Sequence, residues 1–233
     1  YYEKAGILVA RPAKGSSCTL AVSAKGGNNA ENHNHNDIGS YAVALGKCTM
    51  VGDQGGPFSY PGDYFSAEAP EKYKIKGSFG HPVPVVDGKT QSSGAKASAI
   101  VLKKEFTDVK DLLCIDYTSA YSTPSLDKLV RTFVYDRQGK GSFTVGDEFT
   151  ANAPIRFETA ITTQANWKII DDTHLLLTTG TEQMTVTIEA SGKVAFTSET
   201  IEVNSPAYTR IGISLKEQSK DGYIRLTMRT KQL

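Results

Sequence analysis

The sequence lacks the features of disulfide-stabilised and membrane-spanning proteins. Its three cysteines, Cys18, Cys48 and Cys114, lie far apart and form no CxxC pair. They therefore cannot build the dense, even disulfide framework of a small secreted domain. Each lies in an apolar stretch, which predicts buried free thiols. No apolar run reaches eighteen residues, so we expect no membrane span.

An excess of charge of one sign is also missing. Lys plus Arg number 26 and Asp plus Glu 25, which leaves a formal net charge of +1. A protein that binds nucleic acid through bulk charge normally carries a basic excess, so we expect no nucleic-acid partner. An anionic ligand would have to be recognised by local groups. The chain also lacks an initiator methionine and a signal peptide, and we expect it to be part of a longer precursor.

Helical periodicity is scarce, and short alternating or β-branched runs dominate. The run Thr185 to Glu189 alternates with a period of two, as in a half-buried strand. One short helix is expected around Tyr64 to Tyr73. About fourteen strand-like runs separated by turn residues predict an all-β fold: one large antiparallel β-sandwich, of the supersandwich kind, over residues 1–233. The runs are residues 6–10, 18–24, 38–45, 48–51, 98–106, 112–118, 130–135, 142–145, 155–161, 175–179, 184–190, 194–198, 211–215 and 224–229.

One long stretch between predicted strands differs from the rest. Residues 52–84 are rich in Gly, Pro and Tyr and show a strand pattern only at their end. A loop of this length inside a compact β domain is uncommon and is usually functional. We therefore expect the functional residues in or beside this loop, and the rest of the chain to serve as scaffold.

Three of the four histidines fall within residues 33–81, and two of them belong to the run Asn32-His33-Asn34-His35-Asn36-Asp37. Asn and Asp are depleted in strands, so folding alone does not explain such a run before an apolar strand. In extended backbone His33 and His35 would face the same side, about 6.6 Å apart. One could bind a metal while the other acts on a substrate. The fourth, His174, lies in an apolar strand pattern and is not expected to be functional.

A short hairpin would complete a metal site. The predicted strands 38–45 and 48–51, joined at Gly46-Lys47, would return Asp53 to the vicinity of residues 35–37, and His81 at the end of the long loop could close the set. Two imidazoles and one carboxylate, with water as fourth ligand, suit Zn²⁺, although another divalent cation is also compatible. The alternative is a cluster of polar loop residues that serve as turns and caps.

A cupin metal site is a second alternative. Gly27 followed at a distance by His33 and His35 resembles the opening of the cupin motif. The glutamate expected three or four residues later is missing, because Gly39 and Ser40 stand there, and a second cupin motif is absent. This interpretation is therefore disfavoured.

The same segment resembles the heparinase II/III-like polysaccharide lyases more specifically. The similarity covers essentially all of the chain, in its C-terminal β-sheet part, and its most specific elements are spaced as in that family. These elements are Lys25-Gly26-Gly27, His33-Asn34-His35-Asn36-Asp37-Ile38-Gly39-Ser40-Tyr41, Gly52-Asp53-Gln54-Gly55-Gly56, Gly80-His81-Pro82-Val83-Pro84 with Gln91 following, and more weakly Arg131 to Phe149.

The resemblance implies roles by position. It implies a zinc site and one catalytic histidine, and it leaves Asp37 as either a support of the ligands or a turn cap. Asn32 and Asn34 would orient substrate or serve as turn residues, and the tyrosines would stack on sugars or pack the loop. The implied residues are His35, Asp53 and His81 for the metal, His33 for catalysis, and Asn32, Asn34, Tyr60 and Tyr64 for the substrate.

The reaction implied by the resemblance is β-elimination at a uronic acid of an acidic polysaccharide such as heparin or heparan sulfate. Because such enzymes need a group that neutralises the carboxylate as well as a placed base and acid, the remaining groups would come from an N-terminal α/α toroid. We expect the chain alone to bind metal without cleaving polymer, and a periplasmic or secreted location. Two alternatives are a non-catalytic carbohydrate-binding sandwich and the same domain of an alginate lyase.

Overall fold

The computed structural model describes residues 1–53, 55–203 and 205–231, and these form an all-β structure. Gln54 of the Gly52–Gly56 motif lies outside the described residues. The strands are β1 Ile7–Ala10, β2 Leu20–Lys25, β3 Asn28–Asn29, β4 Tyr41–Leu45, β5 Cys48–Val51, β6 Val85–Val86, β7 Gly94–Ser98, β8 Ile100–Phe106, β9 Lys110–Asp116, β10 Leu126–Asp136, β11 Ser142–Ile155, β12 Phe157–Thr163, β13 Asn166–Asp171, β14 His174–Thr179, β15 Glu182–Ala190, β16 Val194–Val203, β17 Ser205–Leu215 and β18 Ser219–Thr230.

Helical structure among these residues is short. One helix, α1, spans Ala69–Lys72, inside the segment where the sequence predicts a helix. Single 3-10 turns cover Ser78–Gly80 and Thr118–Ala120. No helix in the described part of the chain is long and apolar enough to cross a membrane.

The strands form antiparallel sheets of unequal size. The largest has the order β13-β14-β15-β18-β11-β10-β9-β8, and two four-stranded sheets have the orders β1-β2-β4-β5 and β16-β17-β12-β6. A small sheet pairs β3 with β7. The arrangement confirms the predicted large antiparallel sandwich.

Alternating burial along the strands produces the core. In β15 the buried side chains are Met184, Val186 and Ile188, which confirms the predicted period of two. The main cluster joins apolar side chains of the eight-stranded sheet to those of β2, β4 and β12, and these side chains exclude water from the space between the sheets. The first predicted hairpin is confirmed as β4 and β5, although β4 begins at Tyr41 rather than Ile38.

The cysteines follow the expectation in part. All three are free thiols, but only Cys18 is fully buried, whereas Cys48 and Cys114 are partly exposed. Cys48 starts the short strand β5, and Cys114 lies on β9 at a position of intermediate burial. An apolar neighbourhood in sequence therefore overestimates burial for residues on the outer face of a strand.

Candidate metal centre and adjoining pocket

The β4–β5 hairpin places Asp53 beside the polar loop that precedes β4. That loop joins the end of β2 to β4, and its last residues extend the ladder: Lys25 donates to the Ser40 carbonyl at 2.9 Å, and Gly39 donates to the Lys25 carbonyl at 2.8 Å. The Ser40 hydroxyl donates to Asp53 Oδ2 at 2.5 Å. The sequence prediction that the hairpin returns Asp53 to this loop therefore agrees with the geometry.

His81 connects Asp53 to His35. Its Nδ1 lies 2.9 Å from Asp53 Oδ1, and its Nε2 lies 3.0 Å from the Ile75 carbonyl and 3.2 Å from His35 Nδ1. On the far side of His35, Nε2 lies 3.2 Å from the Tyr64 hydroxyl. The four side chains thus form one continuous chain of hydrogen bonds that runs from a carboxylate to a phenol.

The pKa values of His35 and His81 are shifted in opposite directions. Burial, followed by the charge of His81, lowers the pKa of His35 to about 4. Burial also lowers the pKa of His81, but the charge of Asp53 and its hydrogen bond outweigh burial and raise that pKa above its ordinary value. Burial raises the pKa of Asp53, but His81 and Ser40 outweigh it and hold the pKa well below its usual range. Asp53 therefore favours the charged form of His81, whereas burial favours the neutral form of His35.

Asp37 adds a second carboxylate to the cluster. Ligand atoms of Asp37, Asp53 and His81 all lie within 4.8 Å of one another. Burial raises the pKa of Asp37, while His81 and the Lys25 ammonium, 2.5 Å from Asp37 Oδ1, oppose that shift. Oxygen and imidazole donors at this spacing fit a divalent cation. His35 approaches His81 at Nε2, whereas Asp53 approaches it at Nδ1, so His35 and Asp53 lie on different edges of the same ring.

Two buried side chains hold the loops of this centre in place. Arg131, on β10, donates from Nη1 to the carbonyls of Gly39 at 2.6 Å and Pro82 at 2.8 Å, and so joins the loops that carry Asp37 and His81. Gln91 accepts from the Ile38 N–H at 3.0 Å and donates to the Ile38 carbonyl at 2.7 Å. Gln91 thereby satisfies the backbone groups of Ile38 as a neighbouring strand would.

His33 lines a pocket whose lining does not include Asp37, Asp53 or His81. It is exposed, its φ is +60°, and its ring lies 4.9 Å from that of Phe65. Left-handed backbone is uncommon outside glycine and clusters at functional sites, where the surrounding structure maintains it. His33 lines an open pocket of about 430 Å³ together with Asn32, Asn34 and the segment Phe65–Ala67.

The predicted substrate residues take different positions. Asn32 is exposed at the pocket, and Asn34 donates from Nδ2 to the His35 carbonyl at 2.6 Å. Tyr60 is 56% exposed and its ring lies 5.1 Å from Phe65. Tyr64 is only 1% exposed, so the structure places it beneath the surface as the partner of His35.

Sequence reasoning did not single out Phe65, Lys76 or Asn29 as site residues. Phe65 is 51% exposed beside the pocket, and its position next to Tyr64 in the long loop was a usable signal. Lys76 is buried, and its Nζ lies 4.9 Å from the centre of the Phe65 ring. Asn29 lies on β3, a two-residue strand that sequence patterns do not reveal. His174 pairs with Asp171 at the surface, far in sequence from the centre.

The chain is similar to solved structures, but it matches neither a protein-family model nor a curated protein. A solved structure of a heparan sulfate lyase HepC mutant from Pedobacter heparinus superposes with a TM-score of 0.77 at 16% identity, over 99% of this chain and 36% of that one. A heparinase III structure gives 0.76 at 16% identity, with the same coverage of both chains.

A second heparinase III, with methylated lysines, gives a TM-score of 0.73 at 14% identity, over 99% of this chain and 35% of that one. The chain thus spans about a third of the length of these solved structures. Likeness at this level of identity concerns the fold, and it extends over nearly the whole chain. The fold expected from the resemblance is confirmed: the chain folds like the corresponding third of these heparinase structures.

Proposed function

We propose that this chain is the β-domain part of a polysaccharide lyase that cleaves uronic-acid-containing polysaccharide by β-elimination. One observation carries the proposal: exposed His33 lines an open pocket, while the same short loop brings His35 and Asp37 to a partly buried cluster with Asp53 and His81. The heparinase-like fold supports it. The proposal includes the substrate class, a location outside the cytoplasm, and an N-terminal helical toroid as the partner domain.

In β-elimination a base removes the proton at C5 of the uronic acid, and the bond from C4 to the glycosidic oxygen breaks. The electron pair of the C5–H bond becomes the C4–C5 double bond, and the leaving oxygen takes a proton. His33 suits such a proton transfer because its imidazole is exposed at the pocket and its ring nitrogens can accept and donate a proton. Asn32 and Asn34, the sequence neighbours of His33, also line the pocket and would contact the sugar.

The cluster of Asp37, Asp53 and His81 would hold a divalent cation, with zinc as the best match to its donors. His35, Asp53 and His81 are the proposed ligands, and Asp37 lies close enough to His81 and Asp53 to join or replace one of them. A bound cation would supply positive charge to the carboxylates of Asp37, which is buried, and Asp53, which is partly exposed. The polar loop, which carries His33 as well as His35 and Asp37, would then keep His33 at the pocket wall.

The test is an elimination assay that follows ultraviolet absorbance of the unsaturated product on heparan sulfate, heparin and alginate. The chain would be assayed alone and joined to the region that precedes it in its gene. We expect product only from the longer protein, with a loss of at least about 100-fold in His33→Ala, a size typical of general acid–base catalysis. His174→Ala is the matched control. Full activity of His33→Ala on all three polymers would overturn the proposal.

A carbohydrate-binding sandwich without catalysis is the second candidate. The aromatic side chains Phe58 and Tyr60, which are 82% and 56% exposed, favour it because exposed rings suit stacking on sugars. Saturable binding of the polymers by the longer protein, without any unsaturated product, would select this candidate over the lyase.

A further inference from the structure

The outer face of the eight-stranded sheet carries an open recess. Three of its lining side chains lie directly opposite one another on β10, β11 and β18: Val130, Glu148 and Tyr223. One chain neighbour of each is buried in the core: Leu129, Phe149 and Ile224. Because side chains alternate along a strand, the lining side chains point away from the core. The recess has a volume of about 520 Å³, within the range of small-ligand sites, about 300–1,000 Å³.

The tyrosine of this recess is held in place from two sides. Its N–H donates to the Ser191 hydroxyl at 3.1 Å, and its carbonyl accepts from the Ser191 N–H at 3.0 Å. The Arg225 guanidinium lies 5.7 Å from the centre of the Tyr223 ring and donates to Glu189 at 3.0 Å. Arg225 packs over Gly146, where a β-carbon would stand 3.6 Å from it. Tyr223 is nonetheless 37% exposed, so a fixed aromatic surface faces solvent.

The polar side chains of the recess combine hydrogen-bond acceptors with a donor. Glu148 and Asp221 supply carboxylates, and Lys128 lies in the same row as Asp221, with Thr150 between them. The side chains of Glu148, Asp221 and Lys128 have no hydrogen bond or ion pair within the described part of the chain. They are therefore available to a ligand. A hydroxyl group both donates and accepts, so a ligand with several hydroxyls suits this mixed set.

The charges of the recess disfavour a strongly charged ligand of either sign. An acidic polysaccharide would place its carboxylates or sulfates beside Glu148 and Asp221, and like charges in contact are costly. A cationic peptide would meet Lys128 in the recess and Arg225 at the tyrosine ring. An uncharged sugar ring avoids both conflicts. Its apolar C–H face suits the Tyr223 ring, and its hydroxyl edge suits the charged groups.

We propose that this recess is a carbohydrate-binding site without catalysis, which takes an uncharged sugar ring stacked on Tyr223. The hydroxyls of the sugar bind Glu148, Asp221 and Lys128, and half-exposed Leu102 completes the apolar side. The recess shares no lining residue with the His33 pocket. The inference goes beyond the proposed function, because β-elimination needs a uronic acid whereas this recess selects an uncharged sugar. It would attach the protein to a neutral glycan while the other site acts on an acidic polymer.

The experiment measures binding of neutral hexasaccharides to the full 233-residue chain. An array of hexasaccharides of glucose, mannose, galactose, xylose and N-acetylglucosamine identifies the tightest probe, and isothermal titration calorimetry gives its Kd. We expect this Kd to rise at least about threefold in Tyr223→Ala, as for the loss of one aromatic contact. Tyr223→Phe keeps the ring and should bind as the unaltered chain does. Tyr2→Ala is the matched control, because Tyr2 is 66% exposed and lies outside the recess.

A second variant tests the polar side of the recess without removing the ring. Glu148→Gln keeps the shape of the side chain but loses the charge, and hydrogen bonds to a charged acceptor are the stronger ones. We expect its Kd for the same probe to rise at least about threefold. Glu105→Gln, which alters an exposed carboxylate on β8 outside the recess, should leave the Kd unchanged.

The inference is overturned if no neutral hexasaccharide binds, or if Tyr223→Ala and Glu148→Gln bind as tightly as their controls. Tighter binding of a uronic-acid hexasaccharide or of hexalysine than of every neutral probe, lost in Tyr223→Ala, would also overturn it. None of these outcomes decides the proposed lyase activity, because that activity is measured separately through the unsaturated product of the longer protein.

Discussion

Arg131 and Asp147 form a two-pronged ion pair in which neither side chain is more than 1% exposed. Arg131 Nε and Nη2 donate to Asp147 Oδ1 and Oδ2 at 2.7 and 2.6 Å, from directly opposite positions on β10 and β11. Thr159 of β12 donates to Asp147 Oδ2 at 2.8 Å, so the pair also joins two sheets. The remaining nitrogen of Arg131, Nη1, holds the two loops of the candidate metal centre.

Removal of Arg131 is therefore expected to destabilise the fold strongly. Arg131→Met leaves the Asp147 carboxylate buried without its cation, and breaking such a pair typically costs about 3–5 kcal/mol. The free energy of unfolding in urea measures this effect. Arg225→Met is the matched control, because its partner Glu189 and Arg225 itself are about half-exposed, and exposed pairs contribute about 1 kcal/mol or less. Equal losses in the two variants would contradict this role of Arg131.

Metal analysis distinguishes two ligand sets. The sequence predicts His35, Asp53 and His81, whereas the structure brings Asp37, Asp53 and His81 together. After dialysis against zinc, we expect Asp53→Asn and His81→Ala to lose bound metal, because both residues belong to either set. His35→Ala should weaken zinc binding by at least about tenfold if the sequence prediction holds. Asp37→Asn should weaken it less, because Asp37 is also paired with Lys25.

His174→Ala is the control for these variants and should retain full zinc content, since it pairs with Asp171 at the surface. Unchanged metal content and thermal stability in His35→Ala would remove His35 from the centre. The same result in Asp53→Asn and His81→Ala together would show that the cluster holds no metal.

Gln91 is expected to matter for stability although it carries no charge. Its side chain satisfies both backbone groups of Ile38 and also contacts Asn29, so Gln91→Ala leaves several buried polar groups unpaired. Each such group costs about 1–3 kcal/mol. We expect a loss of at least 2 kcal/mol in urea unfolding, against less than 0.5 kcal/mol for Gln138→Ala, which is exposed. A neutral Gln91→Ala would show that another group replaces it.

In the presence of a chelator, His35 should make the protein less stable as the pH falls. Its folded pKa of about 4 lies below the ordinary value of 6.5, so the unfolded chain binds the proton first. The stabilisation is complete above pH 6.5 and is lost as the pH falls from 6.5 to about 4. It amounts at most to about 3 kcal/mol, at 1.36 kcal/mol per pKa unit.

Urea unfolding of the unaltered chain and of His35→Asn at pH 7, 5.5 and 4 measures this effect. The difference in unfolding free energy between the two should shift in favour of His35→Asn on acidification. A constant difference across this range would show that His35 titrates alike in both states.

The sequence was a good guide where a short segment decides its own geometry. Alternation in Thr185–Glu189 and the tight turn at Gly46-Lys47 lead to the observed β15 and to the β4–β5 hairpin. That hairpin in turn predicts the return of Asp53 to the polar loop, because two short antiparallel strands bring their outer ends together. The Asn- and His-rich run likewise marks the loop as something other than strand.

The sequence by itself determined the β architecture, the position of the polar loop and the identity of His33, His35, Asp53 and His81 as candidates. The tertiary structure alone decided which of these groups face one another. It brought Asp37 to Asp53 and His81, buried Tyr64 as the partner of His35, and placed Arg131 behind two loops far from it in sequence. The physical reason is that side-chain direction in loops follows long-range packing and hydrogen bonding, which no local period encodes.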